Sequence, residues 1–214
     1  MVLDLERLKG LDIVFETIDG GGADTQTKLL FDKVKKHHDC IFMDYPDYGN
    51  PIGRVLYDAL HRKFDVHYGV IVLLQAADQA KDNSLLSESL RKGTTLIRNR
   101  SYVSNLAFPA ARGFDWRKSI AIADAAGVRR PDIAIFINTS PETSWRRKHV
   151  EEKNLDMNEV DLEYQRRVHR WYRYFVENRI FAKRWIEVNG EHGKEEIARE
   201  VESKLDYVLQ SIKK

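Results

Sequence analysis

The sequence predicts an α/β fold: a parallel five-stranded sheet with helices on both faces, in three layers. Three observations predict it. Short β-branched or aromatic runs alternate with longer amphipathic stretches from end to end. The 214 residues are 43% hydrophobic and 32% charged, a globular profile long enough to bury a substantial core. No repeat, low-complexity tract or linker interrupts them, so residues 1–214 read as a single domain.

The elements follow in order. Asp12–Glu16 is the first strand, and a glycine-rich turn leads from it to a helix near Asp24–His37 with Leu29 and Leu30 on one face. Asp39–Met43 is the second strand, followed by helices near Pro51–Lys63, Tyr68–Lys81 and Ser84–Lys92. Strands Thr94–Arg98 and Asp132–Asn138 flank a helix at Trp116–Ala126. Helices at Pro141–Val150 and Asn158–Arg179 precede the last strand, Trp185–Asn189, and the closing helix Lys194–Ile212. Tyr164, Val168, Trp171, Tyr172 and Phe175 recur at three- to four-residue spacing, the mark of a buried stripe. Arg166, Arg167, Arg170 and Arg173 fall mostly on other faces, which a solvated surface explains. Residues 146–156, rich in charges of both signs, leave two readings open: a solvated connection, or a short mobile lid carrying arginines over a phosphate site. Ligands in such folds sit beyond the carboxyl ends of the strands.

Composition narrows the function. Lys plus Arg number 35 against 33 Asp plus Glu, so the formal net charge of +2 gives no reason to expect a nucleic-acid partner. One cysteine, Cys40, excludes an internal disulfide and fits a reducing compartment; its apolar neighbours suggest an inert, buried thiol. Residues 1–10 carry charges of both signs, and no apolar run reaches membrane-spanning length. The expectation is a cytoplasmic protein with no membrane partner.

The first strand runs into Thr17-Ile18-Asp19-Gly20-Gly21-Gly22-Ala23-Asp24-Thr25-Gln26. Three glycines between a strand and a helix let the backbone turn tightly and approach an anion, and the helix N-terminus adds free N–H groups. This loop resembles the thymidylate kinase form of the Walker A sequence, with Glu16, Asp19, Gly20, Gly22, Thr25 and Gln26 matching. Tyr45-Pro46-Asp47-Tyr48-Gly49 is similar to that family's segment contacting the acceptor monophosphate. Residues 73–79, 98–108, Pro131-Asp132, Pro141-Glu142 with Arg147, and Val188-Asn189-Gly190 match further segments in the right order.

The resemblance implies a P-loop nucleoside-monophosphate kinase, ATP as donor, Mg²⁺, and a homodimer. It implies that Gly20, Gly21, Gly22, Ala23, Asp24 and Thr25 cradle the donor phosphates. Asp19, Arg100, Arg146 and Arg147 are the implied catalytic residues: Arg100 holds the acceptor phosphate, Asp19 touches the acceptor sugar or the metal shell, and the two lid arginines close over the donor. Tyr45, Pro46, Tyr48, Gln75, Gln79, Ser104, Asn105 and Phe108 are the implied acceptor contacts.

The departures are as informative. Thr17 replaces the first glycine of the loop, Ala23 its lysine, and Asp24 the hydroxyl residue that normally holds magnesium. A carboxylate about 4 Å from a phosphate charge is opposed by roughly 4 kcal/mol at an effective dielectric of about 20. Either a divalent cation sits between Asp24 and the phosphates, or nucleotide binds poorly and the loop is a relic. Gln75 and Gln79 replace a phenylalanine that stacks on thymine and an arginine that hydrogen-bonds it, which points to a relaxed or shifted base preference. Asn99 and Asp44 also stand where the family differs. Two functions stay open: a nucleoside-monophosphate kinase with a non-standard donor loop, or a non-catalytic nucleotide-binding or interaction protein that keeps the fold.

Overall fold

In the computed structural model the described residues are 3–151 and 161–211; residues 152–156 of the lid segment lie outside them. The apolar runs form β1 (Asp12–Glu16), β2 (Cys40–Asp44), β3 (Thr95–Asn99), β4 (Ile133–Asn138) and β5 (Trp185–Asn189). They pair in the order β2-β3-β1-β4-β5, every pair parallel, as the alternation with helices requires. The chain leaves β1 for the far edge at β2, returns to β3 beside β1, and crosses to β4 on the other side. β1 is thus the point where the order reverses, and the loop after it opens at the crevice where such sheets bind ligands.

Helices α1 (Ala23–Val34), α2 (Pro51–Leu60), α3 (Tyr68–Ala80), α4 (Asn83–Arg91), α5 (Ser104–Ala111), α6 (Trp116–Ala125), α7 (Pro141–Glu151), α8 (Leu162–Glu177) and α9 (Lys194–Ser211) connect the strands. Strand side chains alternate between the faces. Ile13 and Phe15 of β1 and Ile133, Ile135 and Ile137 of β4 pack with Leu30 of α1 and Val201 and Leu205 of α9. On the opposite face Phe136 packs with Leu106 and Phe108 of α5 and Val168, Tyr172 and Phe175 of α8. The predicted stripe of α8 is this second core, with Trp171 at its margin.

Helix α5 is absent from the sequence reading. All eight of its residues are buried, so no polar face alternates with an apolar one to reveal a helical period. Pro109 inside it also argues against a helix when only sequence is in view. Elsewhere the differences are at the ends. Helices α2 and α8 stop before Arg62 and Arg179, whose φ angles of 55° and 52° are left-handed and cannot continue a helix. Among the described residues no helix is long and apolar enough to cross a membrane.

Candidate active site

Loop 17–22 is shaped by two threonines. Thr17, in the position the family gives to glycine, donates its hydroxyl to the Ile137 carbonyl of β4 at 2.7 Å. Its side chain lies so close to Gly21 that a Cβ there would meet Thr17 Oγ1 at 2.0 Å. Thr139, just past β4, donates to the Gly21 carbonyl at 2.9 Å. Gly20 has φ 78°, and a Cβ on it would meet the Ser144 carbonyl of α7 at 2.5 Å. Only glycine satisfies both positions, and α7 rests directly on the loop. The first N–H groups of α1 have no acceptor within the helix and follow the loop, as an anion cradle requires.

Below the loop, Glu16 is fully buried and accepts from the hydroxyls of Ser101 (2.5 Å), Ser104 (2.7 Å) and Tyr172 (3.0 Å). Burial pushes its carboxyl above the usual range, against these hydrogen bonds and the nearby charge of Arg100. Arg100 follows β3 with a left-handed φ of 64°, an uncommon conformation for a non-glycine residue. Its guanidinium is held on several sides: Nη2 donates to Asp19 Oδ1 at 2.6 Å, Nη1 donates to the Thr17 carbonyl at 2.9 Å, and the group lies 5.4 Å from the Phe108 ring centre. Burial works against its charge, but Asp19, Tyr172, Glu16 and Asp44 outweigh it and keep the guanidinium firmly protonated. Asp19 also accepts from Gln165 Nε2 at 3.0 Å, so both of its oxygens are engaged in aiming Arg100.

The acceptor segment is pinned to α3. Asp47 N–H donates to Asp78 Oδ2 at 2.9 Å, Asn50 Nδ2 donates to Asp78 Oδ1 at 3.1 Å, and Lys81 Nζ lies 3.3 Å or closer to Asp47, Asp78 and Asp82. Asn50 caps α2 by accepting from Ile52 and Gly53 N–H, with Pro51 at the first helical position. The Tyr45 hydroxyl is committed to Asp82 at 2.8 Å, which makes Tyr45 an anchor of this segment as well as part of its wall.

These pieces enclose one cleft of about 730 Å³. Lining it are Asp19, Gly20, Gly21, Gly22, Ala23, Asp24 and Thr25 of the loop, and Tyr45, Pro46 and Tyr48 of the acceptor segment. Gln75, Gln79, Arg100, Ser104, Asn105, Phe108 and Arg147 complete the sequence-predicted residues brought together there. Gln75 and Gln79 are only 8% and 3% exposed, and each has a buried Oε1 with no protein partner.

Of the two arginines expected over the donor, Arg147 lines the cleft and Arg146 does not. Arg146 is exposed and bonds Thr143 of its own helix. The cleft lies on the side of α7 that carries Ser144, Arg147 and Lys148, and Arg146 lies beyond its edge. Residues 146–151 are the last turn and a half of α7, as the helix expected at Pro141–Val150 implies. Arg147 donates to the Gly190 carbonyl at 3.2 Å.

Sequence reasoning missed Gln165, Lys148 and the His192-Gly193-Lys194 edge of the cleft. Gln165 had a signal, a polar residue between Tyr164 and Val168 of the buried stripe. Lys148 sits four residues after Ser144, on the helix face that meets the loop, a relation visible only once α7 is placed.

Among the described residues no group of three or more His, Cys, Asp or Glu side chains is gathered to hold a metal ion. The cleft offers a cation Asp24 and the buried Asn99 Oδ1, an acceptor with no protein partner. Such oxygens fit a hard divalent ion that takes its other ligands from phosphates and water. Lys28 Nζ lies 2.8 Å from Asp24, an exposed i,i+4 pair that partly balances the added carboxylate.

A family model described as thymidylate kinase matches residues 15–201. A thymidylate kinase of Schizosaccharomyces pombe is 32% identical over 169 residues, covering 77% of this chain and 80% of that protein. One of Caenorhabditis elegans is 27% identical over 71% of this chain and 73% of its own length. A probable thymidylate kinase of Methanocaldococcus jannaschii is 30% identical over 71% of this chain and 78% of its own length. With the loop, Arg100 and the acceptor segment meeting in one cleft, this chain belongs to the thymidylate kinase family.

Proposed function

We propose that this chain transfers the γ-phosphoryl group of ATP to a (deoxy)nucleoside monophosphate, with a base preference moved away from thymine. The observation that carries the reading is the single cleft joining the phosphate loop, Arg100 and the acceptor segment. Phosphoryl transfer is positioning and charge stabilisation more than covalent chemistry, so the protein's task is to hold two phosphate chains in line. Arg100, fixed by Asp19 and the Thr17 carbonyl, presents a permanent charge between the loop and the acceptor wall without having to reorganise. Gly20, Gly21 and Gly22 let the donor phosphates approach the backbone. The Asp78–Lys81 network holds Pro46 and Tyr48 against the acceptor. Mg²⁺, held by Asp24 and Asn99, supplies charge neutralisation of the phosphates when bound.

Gln75 Oε1 and Gln79 Oε1 supply the basis for the base preference. Two buried acceptors without partners call for a base edge that donates N–H groups, and an exocyclic amine offers more of these than thymine does. A coupled assay with ATP, Mg²⁺ or Mn²⁺ and a panel of dTMP, dUMP, dCMP, dAMP and dGMP tests both levels. The expected result is turnover, with kcat/KM for dCMP equal to or above that for dTMP. Gln79→Arg should move the ratio toward dTMP by about ten- to a hundredfold, the worth of one well-made base contact. No turnover above an Arg100 variant for any pair would sink the kinase reading. It would favour the non-catalytic nucleotide-binding protein that Ala23 and Asp24 make the rival.

A cytoplasmic homodimer completes the proposal. The compartment rests on the single cysteine, whose thiol, half-buried, is pushed up to about 12 by burial and is therefore unreactive. Of the apolar stretch in α3, Ile71 and Val72 are buried whereas Val70 and Leu73 are exposed, as is Val55 on the neighbouring α2. These side chains are an apolar face fit for a second copy. Light scattering should give twice the chain mass, and Leu73→Lys should halve it; a wild-type monomer at micromolar concentration refutes the dimer.

A further inference from the structure

We infer that Glu16 works as a neutral acid, its proton closing a ring of three oxygens with Ser104 and Tyr172 that supports Arg100 without competing for its charge. Glu16 is then a positioning residue, and this role deepens the kinase reading above and rests on it for the part played by Arg100.

The hydrogens can be counted. Glu16 Oε2 lies 2.7 Å from Ser104 Oγ and 3.0 Å from the Tyr172 hydroxyl, and those two hydroxyls lie 2.8 Å from each other. Three contacts call for three hydrogens, and Ser104 and Tyr172 bring one each. With both hydroxyls turned to an ionised Glu16, their mutual contact holds no hydrogen and sets lone pair against lone pair. A proton on Oε2 supplies the third. Ser104 then donates to Oε2, Oε2 donates to Tyr172, and Tyr172 donates to Ser104. The other carboxyl oxygen, Oε1, accepts from Ser101 at 2.5 Å, and Ser101 in turn accepts from the Val103 N–H at 3.2 Å.

Charge points the same way. Glu16 is fully buried and forms no ion pair among the described residues. The guanidinium of Arg100 is bound instead to Asp19, to the Thr17 carbonyl and to Ser104 Oγ. A buried carboxyl with no ion pair is cheaper to protonate than to keep charged. Few titratable groups surround it. Arg98 of β3 is spent on Asp12, and Arg100 follows the same strand. The loop brings Asp19 and α8 brings Tyr172, while His169 of α8 is turned to Asn138 at 2.7 Å. β4 and α5 carry none.

The ring meets Arg100 through Ser104 Oγ, whose second lone pair takes Nη1 at 3.3 Å. Glu16, like Tyr172, thus acts on the guanidinium as an oxygen dipole, and the ion pair of Arg100 is with Asp19. An ionised Glu16 would set a second carboxylate behind Arg100 and draw its charge away from the phosphates.

The test is the infrared difference spectrum of wild type minus Glu16→Gln at neutral pH, with melting curves and steady-state kinetics over a pH series. The carbonyl band of a protonated carboxylic acid is expected; carboxylate bands in its place overturn the inference. Should Glu16→Gln not fold, Tyr172→Phe replaces it: opening the ring should shift the acid band, and an unshifted band or carboxylate bands overturn the proposal. An amide keeps one donor and one acceptor, so Glu16→Gln should lose no more than about tenfold in kcat, with KM nearly unchanged, and a larger loss counts against the neutral acid. A raised carboxyl favours the fold while protonated, a preference met at acid pH and lost as pH rises through the folded value. Wild type should therefore lose melting temperature relative to Glu16→Gln as pH rises, and lose kcat relative to it once the folded carboxyl ionises. Parallel melting temperatures overturn the proton, and a constant kcat ratio overturns the positioning role. A wild type that transfers nothing sinks the kinase reading and with it the role of Arg100, whereas the infrared band and the melting curves still decide the proton.

Discussion

Arg100→Met should lower kcat/KM by about a thousandfold or more while the protein still folds. The side chain is half-buried and its charge is stabilised from Asp19, Glu16 and Asp44, so its removal does two things at once. It takes a fixed positive charge from the space between donor and acceptor, which alone costs about 10²–10³ in rate. It also leaves Asp19, among the described residues, with Gln165 as its one remaining side-chain partner, so a carboxylate faces the phosphates where a guanidinium stood. Arg100→Lys should fall between the two. An ammonium cannot bond the Thr17 carbonyl, Ser104 and Asp19 in the flat, forked arrangement seen here. The loss should lie mainly in kcat, because the charge is needed most where it develops in transfer. Steady-state kinetics alongside a melting curve check this, and a variant within tenfold of wild type would remove Arg100 from the mechanism.

The largest effect on stability is expected two residues earlier. Arg98 and Asp12 are 1% and 0% exposed and form a two-pronged pair, Nε to Oδ1 at 2.8 Å and Nη2 to Oδ2 at 2.9 Å. Burial pushes the Asp12 carboxyl up despite the opposing charges of Arg98 and Arg129. Arg98→Met leaves Asp12 with Arg129, 3.4 Å from Oδ2, and with Asp132 pressing a like charge nearby. Breaking a buried pair from one side costs about 3–5 kcal/mol. In a protein of this size that is roughly 6–20 °C in Tm. Replacing both partners, Asp12→Leu with Arg98→Met, should recover at least half of the loss, because neither charge of the pair is then left buried without the other. Urea unfolding of the three variants measures it. A single-variant loss below about 1 kcal/mol would show that the interior rearranges to solvate Asp12.

The sheet was legible because its strands are short runs rich in β-branched and aromatic residues set between amphipathic stretches, and the loop because three glycines between a strand and a helix have few other uses. Side chains carried by the loop and the acceptor segment fall in the cleft in their order along the chain. What escaped was set by helical phase and by depth. Three basic residues stand in a row at 146–148, and only the placement of α7 shows that the first points away while the others line the cleft. Helix α5 escaped because burial on all sides erases the periodicity that marks a helix. Gln165, inside an apolar stripe, reveals its use only when Asp19 is seen beside it.

The contact between Thr17 and Gly21 reaches beyond the shape of one loop. With 2.0 Å separating the threonine hydroxyl from the place of a Cβ, the two positions are not independent in heredity. A lineage that gains a side chain at 21 must first lose the one at 17, and with it the bond to β4. One that returns position 17 to glycine unfastens the turn before any change at 21 becomes tolerable. Position 17 can therefore change before position 21 but not after it, an order set by a clash of two atoms.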